Sequence, residues 1–120
     1  MDEKKLAREA RERNAKIRLG TDTPRCAHCG RGESVGLEAH HVAGRAYDPT
    51  TDIECGYCHR ILSDWQKDHP KRICGPPTFE EGLMHFLLGM ADMFELLVKR
   101  LREFAETMLQ KLQTKSELTP

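Results

Sequence analysis

Two pairs of cysteines are the residues in this 120-residue sequence whose types and spacing most clearly predict chemistry. Cys26 and Cys29 form one Cys-x-x-Cys pair, and Cys55 and Cys58 form a second pair further along the chain. Four thiols in two close pairs match the tetrahedral, all-sulfur coordination of a structural zinc ion. We therefore expect these four cysteines to hold a zinc ion that stabilises the fold.

Three histidines near these pairs predict a second metal site, with a catalytic role. His40 and His41 are adjacent and lie between the pairs, and His59 follows the second pair directly. Adjacent side chains of a strand point to opposite faces, so His40 and His41 cannot both face one metal in the usual way. We expect His40 and His59 to approach one metal, which leaves His41 free to take a proton from water. A metal with open positions beside a general base is suited to phosphodiester hydrolysis.

The order of these residues resembles the zinc-containing branch of the HNH endonucleases over roughly residues 25–70. The matching segments are Cys26-x-x-Cys29, Leu37-Glu38-Ala39-His40-His41-Val42 and Cys55-x-x-Cys58-His59. The resemblance implies a ββα-metal fold that cleaves DNA, with His40 and His59 binding the catalytic divalent metal and His41 acting as general base. It also implies a structural zinc on the four cysteines. Ligation by two histidines favours Mn²⁺, Ni²⁺ or Zn²⁺, with Mg²⁺ as a further candidate.

The sequence departs from the HNH pattern in the loop before the second cysteine pair. HNH endonucleases usually carry an asparagine there that helps to orient the base, and residues 48–54 contain none. Thr50 or Thr51 could hold the loop turn instead, and Asp52 could orient an imidazole. Arg45 is the best local candidate for a phosphate contact, or alternatively a solvated loop charge. The alternative function is a catalytically inactive zinc-binding module that binds nucleic acid or serves in assembly.

Other cysteine and histidine patterns have simpler interpretations. The Cys-x-x-Cys-His run also fits a c-type haem attachment site, but that requires export, and no signal peptide opens the chain. We expect an intracellular, cytoplasmic protein, because the cysteines are spaced for metal rather than for disulfides. Cys74 belongs to neither pair, and we expect it to be a small thiol that is buried or unreactive. We expect His28 to be an exposed residue of the first knuckle, the turn formed by Cys26 to Cys29.

Composition and periodicity predict a small α+β fold with three parts. Charged residues make up 32% of the chain and aromatic residues 6%, so the apolar core must be small and benefits from zinc. We expect a basic N-terminal helix and lead-in over 1–24, which either contacts nucleic acid or is a solvated helix. A zinc-stapled ββα-metal module follows over 25–73, and a linker with a long amphipathic helix over 74–120. The net charge is zero, so no global positive field draws the chain to DNA.

The last part contains an apolar seam that a single helix cannot bury. Its residues follow a 4-3-4-3 spacing typical of coiled coils. They are Leu83, Leu87, Met90, Phe94, Leu97, Leu101, Phe104 and Met108. The seam could fold back onto the zinc module or pair with a second copy, and we favour a homodimer because the module offers little apolar surface. Acidic residues interrupt the most apolar window, so a membrane span is not expected.

Overall fold

The computed structural model describes residues 2–71 and 75–118, and Cys74 of the predicted linker lies outside them. The elements, in chain order, are α1 (Glu3–Leu19), a 3-10 turn (Ser34–Gly36), β1 (Leu37–His41), β2 (Thr51–Cys55), α2 (Gly56–Gln66) and α3 (Phe79–Leu118). Within this part of the chain, three α-helices accompany a two-stranded antiparallel sheet, which confirms a small α+β fold. None of the described helices is long and apolar enough to cross a membrane.

Helix α1 begins and ends where its capping residues predict. The Asp2 carboxylate accepts a hydrogen bond from the Lys4 amide at 3.0 Å, and Gly20 ends the helix in the left-handed conformation with φ of 76°. Ala15 is the buried residue of this helix. The Arg18 guanidinium donates to the Leu37 carbonyl at 3.0 Å, which ties the helix to the start of β1.

The two strands form a short hairpin that continues directly into α2. In the register of the pair, His40 lies opposite Asp52 and His41 lies opposite Thr51. The second strand begins at Thr51, because the ladder continues to His41 at the end of β1. Helix α2 begins immediately at Gly56, so sheet and helix share the second cysteine pair.

The small core surrounds this shared segment. Its buried members are Cys26, Leu37, Cys55, Cys58, Leu62 and Leu96, and the last of these comes from α3. Trp65 packs against the same cluster, as a helical spacing of apolar residues after Cys58 predicts. Half of the buried positions are cysteines, so the interior depends on what the thiols bind.

Helix α3 folds back onto the module that carries the cysteine pairs, through a face that differs from the predicted seam. The buried face carries Gly82, His85, Gly89, Leu96 and Arg100. A β-carbon at position 89 would lie 1.8 Å from the Val42 carbonyl oxygen, so glycine permits the close approach of helix and loop. The predicted seam stays largely exposed, with Leu87 at 59% and Phe94 at 60%. Packing of α3 on its own module does not exclude pairing with a second copy, because the two contacts use different sides of the helix.

Candidate metal sites

The four thiols predicted to bind zinc lie in one cluster. Their sulfur atoms all lie within 4.8 Å of one another, and those of Cys29 and Cys55 are 3.6 Å apart. Zinc–thiolate bonds of about 2.3 Å in a tetrahedron separate the sulfurs by about 3.8 Å, so the cluster has the size of a zinc site. Three of the thiols are buried and Cys29 is partly buried, which suits a closed structural site. The cluster could therefore hold a zinc ion.

Local backbone geometry places each pair of thiols. After the first pair, Gly30 adopts φ of 74° and its amide donates to the Cys26 carbonyl at 3.0 Å, which closes the knuckle. In the second pair, Cys55 ends β2 and caps α2, and its sulfur accepts from the Cys58 amide at 3.4 Å. The Ala27 amide donates to the Ile53 carbonyl at 2.9 Å and joins the two pairs.

Positively charged groups lie beside two of the thiols, although burial keeps the pKa values of Cys29 and Cys58 above the ordinary value. The Arg100 guanidinium of α3 donates to the Cys58 sulfur at 3.7 Å and lies 5.0 Å from the centroid of the Tyr57 ring. Burial raises the pKa of Cys26, but hydrogen bonds from His28 and from backbone amides outweigh it and lower that pKa to about 4. A tetrathiolate zinc centre carries a net negative charge, and N–H groups aimed at its sulfurs compensate that charge.

The prediction that His28 is an exposed knuckle residue is wrong. Its ring is buried, with Nδ1 2.7 Å from the Glu54 carboxylate and Nε2 2.8 Å from the Met93 carbonyl oxygen. Burial lowers the pKa of His28, but the interactions with Cys26 and Glu54 outweigh it and raise that pKa to about 10. A protonated imidazole donates through both nitrogens, so His28 joins β2 to α3. No sequence rule reveals these partners, because both lie far along the chain.

His40 and His59 lie side by side. Their ring centroids are 5.2 Å apart, and the ring planes cross at 70°. Nδ1 of His59 pairs with the Glu38 carboxylate, and Gln66 Nε2 lies 3.5 Å from His40 Nε2. Burial, followed by the positive charges of neighbouring histidines, lowers the pKa of His40 to about 4. His40 is therefore a neutral imidazole at neutral pH, which is the form that binds metals.

The described residues do not place His40 and His59 in a larger set of potential ligands. Two groups of three or more side chains lie within metal-binding distance in residues 2–71 and 75–118. One is the tetracysteine cluster, and the other consists of Cys26, His28 and Glu54. A metal on His40 and His59 would therefore take its other ligands from water or substrate. The pairing of His59 with Glu38 suits such a site, because carboxylates commonly orient the histidines that bind metals.

His41 and Arg45 lie at the end of the hairpin. His41 is partly exposed on the strand face opposite His40. Arg45 is exposed in the turn that follows. The Asp48 carboxylate holds this loop by accepting from the Thr50 amide at 2.8 Å, and hydrogen bonds from the Thr50 hydroxyl and then from its amide lower the pKa of Asp48. Asp52 lies across from His40 rather than His41, and its carboxylate accepts from the Ile53 amide, so in this register it is not opposite the candidate base.

The remaining histidines connect the module to α3. His69 Nε2 lies 2.7 Å from the Asp92 carboxylate, and the His85 ring stacks on Tyr47 with centroids 3.7 Å apart. Helix α2 ends at Gln66, so His69 lies beyond it and its ring contacts α3. These contacts, like those of His28, attach α3 to the module by polar groups.

Sequence reasoning missed four residues that contact the candidate ligands of the two sites. They are Glu38, Glu54, Gln66 and Arg100. Only Glu38 had a local signal, because it precedes His40 by two residues and therefore shares its strand face. Comparison with known proteins adds no further residue: no family model, curated protein or solved structure matches the chain.

Proposed function

We propose that the chain is a zinc-stabilised, metal-dependent DNA endonuclease of the HNH type. The observation that supports this proposal is the approach of His40 on β1 to His59 on α2, with ring centroids 5.2 Å apart. The strand–strand–helix order around the pair and the adjacent thiol cluster agree with the predicted arrangement. In this proposal the four thiols hold a structural zinc ion, and the two imidazoles hold a catalytic divalent metal.

The residues divide the reaction between them. A divalent metal on the two imidazoles would stabilise negative charge on the phosphate and on the leaving oxygen. Glu38 holds the His59 ring by its Nδ1 atom, which leaves Nε2 available as a ligand. His41 accepts a proton from water while the water oxygen bonds to phosphorus, and the bond from phosphorus to the leaving oxygen breaks. Gln66 donates to the His41 carbonyl at 2.9 Å and fixes the end of this strand.

Two basic regions of the surface supply contacts for a phosphate backbone. A groove of about 460 Å³ between α1 and the 3-10 turn is lined by Arg8, Arg11 and Lys16, together with Glu12 and Glu33. Arg45 extends from the loop beside His41. Arginine and lysine side chains bind phosphate without regard to sequence, so this proposal predicts affinity that falls as salt concentration rises.

The proposal is tested by metal counting together with plasmid nicking. We expect one tightly held zinc per chain after dialysis, a second metal on addition of Mn²⁺, and Mn²⁺-dependent nicking of supercoiled DNA. His41→Ala should abolish nicking while zinc content and the unfolding curve stay unchanged. Asp64→Ala, an exposed change on the helix that carries His59, should nick as the unmodified chain does. Unchanged nicking by His41→Ala would remove this residue as the base.

A specific observation also favours an inactive zinc-binding module as a second candidate. Neither of the described groups of three or more potential ligands includes His40 or His59. The loop contains no asparagine, and the candidate base has no hydrogen bond to its ring within residues 2–71 and 75–118. This candidate predicts one zinc per chain, no second metal and no nicking at any divalent metal concentration.

A further inference from the structure

The side of α3 that faces away from the module is apolar and exposed. Five residues of the seam there are about half exposed or more: Leu87, Phe94, Leu101, Phe104 and Met108. A second row with seven-residue spacing flanks the seam and is exposed as well. It consists of Met84, Ala91, Val98, Ala105 and Leu112. Together the two rows form an apolar stripe about 100° wide, the width that helices normally bury. We call this stripe the outer face of α3.

The distal part of α3 buries little surface against the module. Every residue from 101 to 117 is exposed, whereas Leu96 and Arg100 are still buried against the module. A helix of this length that buries little surface is only marginally stable in water. The stability of this half therefore requires an element that covers the outer face.

We propose that the outer face binds the outer face of a second copy, in antiparallel orientation. The spacing of the seam repeats every 3.5 residues on average, so the same pattern is self-complementary along both helices. The outer face carries about ten large apolar side chains, and at about 100 Å² each they offer roughly 1,000 Å² per chain, above the about 800 Å² per partner of a standard interface. The area is therefore sufficient for a stable pair.

Charge determines the orientation. The seam spacing continues beyond Met108 to Lys111 and Lys115. In a parallel pair each of these lysines would meet its own counterpart in the interface, and like charges there are destabilising. In an antiparallel pair they approach the start of the partner helix, whose first turn carries Glu80 and Glu81. The antiparallel pair also places the two zinc modules at opposite ends, so they do not compete for space.

Maximal overlap of two such helices fixes the register. It places Phe94 opposite the partner's Phe104, and Leu97 opposite the partner's Leu101. In the flanking row, Ala91 then faces the partner's Ala105. Small residues at this position allow the two helices to approach closely, while the aromatic layers on either side fill the seam. The antiparallel register is therefore consistent with the sizes of the facing side chains as well as with their charges.

The oligomeric state of the full zinc-loaded chain is the first test. Light scattering from about 1 to about 100 µM should give twice the chain mass. Leu101→Glu should raise the dimer dissociation constant at least about 100-fold, because the symmetric interface loses the same contact twice. Lys99→Glu adds the same carboxylate on another side of the helix and should leave that constant within about threefold. A monomer over the whole concentration range would overturn the proposal and indicate that the outer face binds a different partner.

Cross-linking tests the orientation separately. Ala91→Cys and Ala105→Cys are small changes in the flanking row, and under mild oxidation a mixture of the two variants should form a disulfide dimer. Each variant alone should not exceed the background of the unmodified chain. A dimer whose mixture forms no such disulfide would refute the antiparallel register. Failure of either test leaves the nuclease proposal standing, because His40, His41 and His59 all lie outside α3.

Discussion

Replacing Gly89 by alanine tests how α3 packs on the module that carries the cysteine pairs. In a free helix alanine is favoured over glycine by about 1 kcal/mol, so helix propensity alone predicts a more stable variant. The structure reverses that sign. The added β-carbon would lie 1.8 Å from the Val42 carbonyl oxygen and 2.6 Å from its carbonyl carbon. Both partners are backbone atoms, so no side-chain rotation relieves the clash.

The size of the effect follows from the distance that must be gained. A carbon atom and a carbonyl oxygen approach to about 3.3 Å, so helix and loop must separate by roughly 1.5 Å. That movement lengthens the hydrogen bonds of Met93 with His28 and of Arg100 with Cys58, which lie on the same face of α3. We expect a net loss of about 2–4 kcal/mol in the free energy of unfolding, after the gain in propensity.

Denaturant unfolding of the zinc-loaded chain measures this loss, with Gly82→Ala as the matched control. There the added β-carbon would lie 2.9 Å from the Tyr47 carbonyl oxygen, so a shift of about half an ångström suffices. The control should therefore change stability by less than about 1 kcal/mol, because the gain in propensity offsets most of the strain. A Gly89→Ala variant that is more stable by about 1 kcal/mol would refute the docking of α3 on the loop.

Two further predictions concern the histidines. His28→Ala should lower the free energy of unfolding by about 3 kcal/mol, because it leaves the buried Glu54 carboxylate without its ionic partner. The matched His59→Ala breaks a more exposed pair and should lower it by less than about 1 kcal/mol. Equal losses in denaturant unfolding would contradict the buried role of His28. The pKa of His40 is about 4 in the folded chain and 6.5 as the ordinary value, so its contribution to stability is complete above pH 6.5 and lost as pH falls toward 4. The stability difference between the unmodified chain and His40→Asn, measured without added divalent metal, should change by roughly 3 kcal/mol over that range, and parallel pH curves would show that His40 is not buried in its neutral form.

Local signals in the sequence predicted the elements and the thiol cluster. Paired cysteines predict their own clustering, because a two-residue spacing brings two sulfurs to one turn and zinc geometry unites two such turns. Helix formers, apolar spacing and turn residues predicted the first and last helices, because those signals act over one or two turns of chain. The strand face shared by Glu38 and His40 follows from the same short-range rule.

The partners of the buried polar groups could not be predicted from the sequence. His28 contacts Met93, and Arg100 contacts Cys58, across separations of 65 and 42 residues. No periodic pattern encodes such a meeting, because it depends on where an entire helix docks. The docking in turn depends on the absence of side chains at Gly82 and Gly89, which in a helical pattern look only like weak points.

The sequence by itself determined the chemistry available to this protein: four thiols in two pairs, three histidines around the second pair, and a long helix with an apolar seam. Only the tertiary structure decided which side of that helix is covered by its own chain and which side remains open. The physical reason is that apolar spacing shows which residues favour burial, whereas close backbone contact determines which of the possible helix faces is buried. In α3 the glycines allow one face to reach the loop after β1, and the larger side chains of the seam are left exposed.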